Sequence, residues 1–295
     1  MSERAGLGRR RGLQLPASYT SPADHPVESK ERFYQGAVGV ARRLLGFTRI
    51  GVTLHGLEHI PQRGGALLAG NHTGYYDFVL MGAGPHIHGN RLVRFMAKQS
   101  VFGIPVLGGI MQKMGHVPVD RARGAGAIDA AVAELRRGRL VGIFPEATIS
   151  RSFELAKFKT GAARIAHAAG VPLIPCVIWG SQRIWTKDLP KQLRGVPVIV
   201  RYGEPVALTG DAEADTERLK AAMQLLLDES RNEYAQLVGI EGGEAWMPAS
   251  LGGTAPSIEE AEEIYARERE ARAAKKAAKA EKRAGNKRRK SKGGS

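Results

Sequence analysis

The run Ala66-Leu67-Leu68-Ala69-Gly70-Asn71-His72-Thr73-Gly74-Tyr75-Tyr76-Asp77 decides how the rest of the chain is read. Its apolar start, residues 66–69, reads as a short buried strand, and the Gly-containing turn after it opens a helix. That turn sets a histidine and a carboxylate five positions apart, so a strand end meeting a helix start would bring both side chains to the mouth of one pocket, beside helix N-terminal amides. Imidazole is the usual general base near neutral pH, and a carboxylate on its other nitrogen fixes the tautomer and stabilises the imidazolium that forms. Such a pair could deprotonate an alcohol. A lone His beside an apolar run is more often a satisfied core or surface residue, so the segments around it must decide.

Working outward, apolar runs of strand length alternate with helical stripes. Residues 50–54 read as a strand, joined to 66–69 by the turn Pro61-Gln62-Arg63-Gly64-Gly65. Residues 92–97 form the next strand, ending at Lys98, where an ammonium would sit at a strand's carboxyl end, the side on which open α/β sheets bind ligands. Gly115-His116-Val117-Pro118-Val119-Asp120-Arg121 is a compact strand, and Ile128, Ala131, Val132 and Leu135 form a helical stripe stopped by Gly138. Residues 140–144 deliver Pro145-Glu146-Ala147-Thr148; Lys157-Phe158-Lys159-Thr160-Gly161 opens a helix over 162–169; strands at 173–179 and 198–202 and a long amphipathic helix over 212–237 complete the series. This alternation predicts an α/β domain, residues 31–240, with a mainly parallel central sheet flanked by helices.

Flanking segments differ in composition. Residues 1–30 mix Gly, Arg, Pro and Ser without periodicity and read as disordered. An amphipathic helix follows, with Phe33, Val40, Leu44 and Phe47 among basic residues, suited either to a bilayer interface or to packing on the core. Residues 241–295 read as a linker carrying Trp246 and Met247, then a helix started by Ser257-Ile258-Glu259-Glu260 that becomes a basic tail. Of the chain's formal charge of +15, most lies there, since residues 267–292 hold 13 basic and 3 acidic side chains. That charge favours anionic lipid or phosphate partners; with Tyr265 as its only aromatic, the tail is not expected to bind nucleic acid.

The composition also excludes chemistries. One cysteine, Cys176, rules out an intrachain disulfide or cysteine-rich metal cluster and fits a reducing cytoplasm. His55-Gly56-Leu57-Glu58-His59 fits a zinc-protease pattern in letters, but Gly56 and Pro61 argue against the helix it needs, and no metal site is expected. His86 and His88 lie in the Gly/Pro-rich run 82–89 and read as solvated loop residues. No run reaches the ~18 apolar residues of a spanning helix, and the N-terminus lacks the apolar core of a signal peptide.

Four blocks taken in order carry a resemblance. Asn71-His72 through Asp77 resembles the Asn-His-x4-Asp block of the glycerolipid acyltransferases, the superfamily of lysophosphatidic acid acyltransferase. Gly115 to Arg121 resembles its second block, Phe144-Pro145-Glu146-Ala147-Thr148-Ile149-Ser150 its third, and Val171-Pro172-Leu173-Ile174-Pro175 its fourth. The resemblance implies that His72 takes the proton of an acceptor hydroxyl while Asp77 orients it, the alcohol attacking an acyl thioester directly. It implies that Arg121 binds the acceptor's phosphate, with Glu146 and Thr148 shaping that site and Lys159 and Lys98 adding charge. No cofactor is needed beyond the donor, acyl-CoA or acyl carrier protein. The implied product is phosphatidic acid, made from 1-acylglycerol 3-phosphate by a cytoplasmic enzyme peripheral to the inner leaflet.

The third block departs from the family's usual Phe-Pro-Glu-Gly-Thr-Arg-Ser: Ala147 replaces the Gly and Ile149 the Arg. Either Arg151 compensates for the lost cation, or the acceptor differs, with glycerol 3-phosphate or another lysolipid as the alternatives. A reading from another class makes the chain a non-enzymatic basic scaffold for membranes or nucleic acid.

Overall fold

The computed structural model describes residues 7–10, 12–120 and 124–274. Among them, nine strands form one sheet: β1 (Leu7–Arg10), β2 (Leu13–Pro16), β3 (Gly51–His55), β4 (Ala66–Gly70), β5 (Val93–Lys98), β6 (Val117–Val119), β7 (Leu140–Ile143), β8 (Leu173–Trp179) and β9 (Pro197–Tyr202). Their order is β1-β2-β3-β9-β8-β4-β7-β5-β6. Every pairing is parallel except β1 with β2 and β8 with β9. The carboxyl ends of β4, β5, β7 and β8 therefore share one edge with the amino ends of β3 and β9. The expected α/β class and mainly parallel sheet are what the chain adopts.

Strand β4 shows why its sequence is apolar throughout. Side chains alternate across a sheet, and this strand is covered on both sides. Ala66 and Leu68 join a core with Leu80 and Met81 of α2 (Asp77–Ile87). Leu67 and Ala69 face the other core, with Ala131 and Leu135 of α5 (Gly124–Arg136), Ile165 of α6 (Gly161–Ala169) and Leu219, Met223 and Leu227 of the long helix Ala212–Val238. Each such Leu, moved from water to a packed interior, stabilises the fold by roughly 1.5–3 kcal/mol. Cys176, wholly buried in β8, points into the first core.

The segment read as disordered, residues 1–30, instead supplies β1 and β2 at the sheet edge and a 3-10 turn, Glu28–Lys30, over the residues described. The reason is a pair of contacts no composition signal reveals. Leu13 and Leu15 are buried against the first core, and the Glu28 carboxylate pairs with the buried Arg91 guanidinium while accepting the Leu92 amide. His86 and His88 are likewise not solvated. They close α2 in buried positions, His86 on the Arg42 guanidinium and His88 on the Tyr19 hydroxyl. Burial, with Arg42 adding to it, lowers the His86 imidazole to about 4, a group built to stay neutral.

Other segments show which side chains the fold covers. The first helix, α1 (Arg32–Phe47), buries only Tyr34 and Leu45 and leaves Phe33, Val40, Leu44 and Phe47 exposed. The apolar run beyond β5 breaks at Pro105 into α3 (Gln99–Phe102) and α4 (Leu107–Lys113). Met247 is buried, and Trp246 lies edge-on to Tyr234, so the linker covers the domain. Ser257 starts the final helix with a reciprocal capping box: Glu260 accepts the Ser257 amide and the Ser257 hydroxyl accepts the Glu260 amide. That helix runs over 258–274, and residues 275–295 of the basic tail lie outside the described part.

Candidate active site

Strand β4 ends at Gly70, and Asn71 finishes its pairing with a side chain. The Asn71 amide donates to Ile178 O at 3.0 Å and accepts from Ile178 N at 2.7 Å, holding the end of β4 to β8. His72 therefore leaves the sheet edge at a fixed height. The chain turns through Thr73 and Gly74 into α2, whose first residue is Asp77. A side chain at Gly74 would collide with the Ser181 carbonyl, so this position requires glycine if the turn is to lie against the loop after β8.

The two residues placed together by the sequence are together. His72 Nδ1 lies 2.9 Å from Asp77 Oδ2, with Asp77 fully buried and the imidazole partly open. The same oxygen accepts the amides of Thr73 at 2.7 Å and Gly74 at 2.8 Å. These amides precede the helix, unlike the helix N-terminal donors expected. Oδ1 accepts the Ser181 hydroxyl at 2.5 Å, and Ser181 also meets the Thr73 hydroxyl at 3.1 Å. With its Nδ1 proton held by a carboxylate, the imidazole carries its lone pair on Nε2, the nitrogen of a general base.

The third block grips this histidine by its backbone. Glu146 Oε1 accepts His72 N at 2.9 Å, Oε2 accepts Ala156 N at 3.1 Å, and His72 O accepts Ser150 N at 2.7 Å. The Phe144 ring stacks on the imidazole, centroids 4.3 Å apart. Burial pushes the Glu146 carboxyl up to about 8, although the two amides it accepts pull the other way. Glu146, expected in the phosphate site, thus has both oxygens engaged by backbone. Ala147 adopts φ 56°, the left-handed region where the family's usual glycine is at ease. The turn survives the substitution at the cost of backbone strain.

The cationic residues differ in exposure and partners. Lys98 caps α3 and Lys159 precedes α6, both exposed; Lys159 donates its backbone amide to Pro145 O. Arg121 lies outside the described residues. Arg151, expected to compensate for Ile149, is buried and bound on both sides, by Asp188 at 2.6 Å and Glu268 at 2.5 Å. Ile149 is itself buried. Thr148 Oγ1 accepts the Lys187 ammonium at 3.3 Å.

Ser181, Thr73, Thr186 and Lys187 were not singled out by the sequence. Ser181 and Lys187 follow β8 and meet Asp77 and Thr148 only through the long-range pairing of the sheet, which no local spacing encodes. Nor do His55 and His59 converge: one meets Glu233, the other Tyr202 O.

A histidine at the edge of an α/β sheet, with a buried carboxylate behind it, has the geometry of a general base and its orienter. The acyltransferase family model matches residues 51–179. A 1-acyl-sn-glycerol-3-phosphate acyltransferase of Bacillus subtilis is 30% identical over 68% of this chain and 95% of its own length. The chloroplast 1-acyl-sn-glycerol-3-phosphate acyltransferase BAT2 of Brassica napus is 29% identical over 63% of this chain and 51% of its own. In fold, the chain is similar to the crystal structure of the 1-acyl-sn-glycerophosphate acyltransferase PlsC from Thermotoga maritima, with TM-score 0.55, 21% identity, and 68% of this chain and 80% of that one covered. The chain belongs to the acyltransferase family, with the members that resemble lysophosphatidic acid acyltransferase, and is an O-acyltransferase.

Proposed function

We propose that this enzyme moves a fatty acyl group from a thioester, acyl-CoA or acyl carrier protein, to the free hydroxyl of 1-acylglycerol 3-phosphate, forming phosphatidic acid. The observation that carries the reading is the His72–Asp77 pair at the sheet edge. His72 Nε2 takes the hydroxyl proton as the alcohol oxygen attacks the thioester carbonyl. Collapse of the tetrahedral adduct breaks the C–S bond, and the imidazolium returns its proton to the leaving thiolate. Asp77 stabilises the imidazolium between these steps.

No acyl-enzyme is required: Cys176 is buried in β8 with its thiol pushed well up by burial, and the Ser181 hydroxyl donates its hydrogen bond to Asp77 rather than to His72. The reaction as drawn uses no cofactor beyond the donor. Arg121, Lys98 and Lys159 remain the sequence's candidates for cationic contact with the acceptor.

The acceptor is a lipid, and the surface suits one. Phe33, Val40, Leu44 and Phe47 form an exposed stripe on α1. Phe33 stacks under the Lys113 ammonium, which joins it to α4, next to the exposed Ile104, Val106 and Leu107. With arginines 32, 43 and 49 around it, this face fits an anionic bilayer surface. No helix among the described residues is long and apolar enough to cross a membrane, so attachment is proposed as peripheral.

The loss of the third-block arginine at Ile149 favours keeping glycerol 3-phosphate and other lysolipids as second acceptors. Radiolabelled acyl-CoA and acyl carrier protein, each offered with lysophosphatidate, glycerol 3-phosphate and other lysolipids, test the reading. Preferential labelling of phosphatidic acid supports it, and labelling of another acceptor alone refutes it.

A further inference from the structure

The third block leaves a charge unaccounted for. Where the related block has an arginine, Ile149 turns into the interior, and the next cation along, Arg151, is neutralised by Asp188 and Glu268. An anionic headgroup brought to Thr148 would find neither.

It would find Lys187. This half-buried side chain reaches across from the loop after β8 and donates to the Thr148 hydroxyl at 3.3 Å, and among the described residues no carboxylate lies within ion-pair distance of it. The neighbouring Thr186 hydroxyl donates to Thr73 O at 2.6 Å, which fixes the lysine's backbone beside the residue that follows His72. Ser150, two positions after Thr148, donates its amide to His72 O. Thr148 and Lys187 thus sit on the two segments that hydrogen-bond the backbone of His72 and Thr73.

The lysine is also held from behind. Its ammonium stands 5.3 Å from the centre of the Tyr265 ring, and the Tyr265 hydroxyl donates to Ile149 O and accepts the Arg151 amide. The final helix therefore buttresses both the third block and the lysine facing it. Burial, with Arg151 second, lowers the Lys187 ammonium from its ordinary value. Glu268 and Asp188 act the other way, but both carboxylates are bound to Arg151, and a phosphate would give the ammonium a direct counter-charge.

We propose that Lys187 is the residue that receives the acceptor's phosphate in this chain, taking over the role of the arginine missing at position 149. The inference rests on the reading of the acceptor as a phosphate-bearing lysolipid. It makes the specificity contact a product of the β8 loop and the C-terminal helix instead of the third block alone.

The test uses the full-length chain, with Lys187→Met to keep the aliphatic stem and Lys187→Arg to keep the charge. Initial rates are measured against lysophosphatidate, against 1-monoacylglycerol, which lacks the phosphate, and against acyl-CoA. Lys187→Met is expected to raise the KM for lysophosphatidate roughly 10- to 100-fold, the worth of one hydrogen bond to a charged group, with the KM for acyl-CoA unchanged. Any rate on 1-monoacylglycerol should be untouched, and Lys187→Arg should restore most of the lysophosphatidate affinity. An unchanged lysophosphatidate KM in Lys187→Met overturns the proposal, as does an equal loss for every substrate that Arg fails to rescue, which marks a structural role. If the wild-type chain transfers nothing to lysophosphatidate, the acceptor reading itself falls. Should Lys187→Met melt well below wild type, Lys187→Gln is assayed to the same criteria.

Discussion

Ser181 Oγ donates to Asp77 Oδ1 at 2.5 Å, across 104 residues of sequence, on the carboxylate whose other oxygen holds the His72 imidazole. Asp77 is fully buried and accepts four donors in all. Its orientation is thus set by Ser181 and two backbone amides, and His72 completes the set. Ser181→Ala removes one of these while leaving the amides, and is expected to lower kcat about 10- to 100-fold, the worth of a charge-assisted hydrogen bond, with little change in either KM. An unchanged kcat would show that the amides suffice.

Asp77→Asn keeps the shape but sets an NH2 group against donors it should accept, and it frees the imidazole tautomer. Transfer is expected to fall by about 10²- to 10⁴-fold, the usual range for a disabled general base. Circular dichroism should report a folded chain. Wild-type rates would remove Asp77 from the mechanism.

Glu146 gives the fold a pH dependence. Its folded carboxyl is raised by burial from 4.5 to about 8, so between these values the folded chain holds a proton that the unfolded chain has released. Stability from this group is complete below about 4.5 and is lost as pH rises through about 8. Thermal melting followed from pH 5 to 8.5 should show a falling Tm in the wild type and a flatter profile in Glu146→Gln, which removes the titrating group at the cost of one accepted amide. Parallel profiles would mean that Glu146 is already ionised in the fold.

Glu28 ties the N-terminal segment to Arg91, an ion pair with neither side chain more than 2% exposed. Glu28→Ala strands the buried guanidinium and the Leu92 amide, and should reduce the unfolding free energy by roughly 3–5 kcal/mol. Urea denaturation measures it. A loss below about 1 kcal/mol would mean that water reaches Arg91.

Replacing Phe33, Leu44 and Phe47 together by Ser removes three exposed apolar groups without touching either core. Sedimentation with phosphatidylglycerol vesicles should show binding reduced at least tenfold, while rates on detergent-dispersed acceptor stay near wild type. Unchanged sedimentation would move the membrane contact off α1.

What was legible from sequence was what is local. The apolar run of β4 and the five-residue step from His72 to Asp77 are carried by adjacent residues, so their meaning survived without the fold. The β8 and β9 strands were equally plain from their apolar runs, though nothing in them marks that β9 turns antiparallel. What escaped depends on partners far along the chain. Leu13, Leu15 and Glu28 sit in a stretch whose composition reads as disorder, and only Arg91 and the sheet edge give them a place. His86 and His88 lie in a Gly- and Pro-rich run, yet α2 persists through Pro85 to Ile87 and buries them. Arg151 looked free because Glu268 lies 117 positions away. Lys187 carries no motif at all, and only the meeting of the β8 loop with Thr148 gives it a candidate role.

The most direct test of the mechanism is the initial rate of acyl transfer to lysophosphatidate by purified His72→Ala, measured beside wild type with matched circular dichroism and Tm. Loss of the base should cut kcat by about 10²- to 10⁴-fold in a chain that remains folded. A folded His72→Ala enzyme turning over at the wild-type rate would contradict the account.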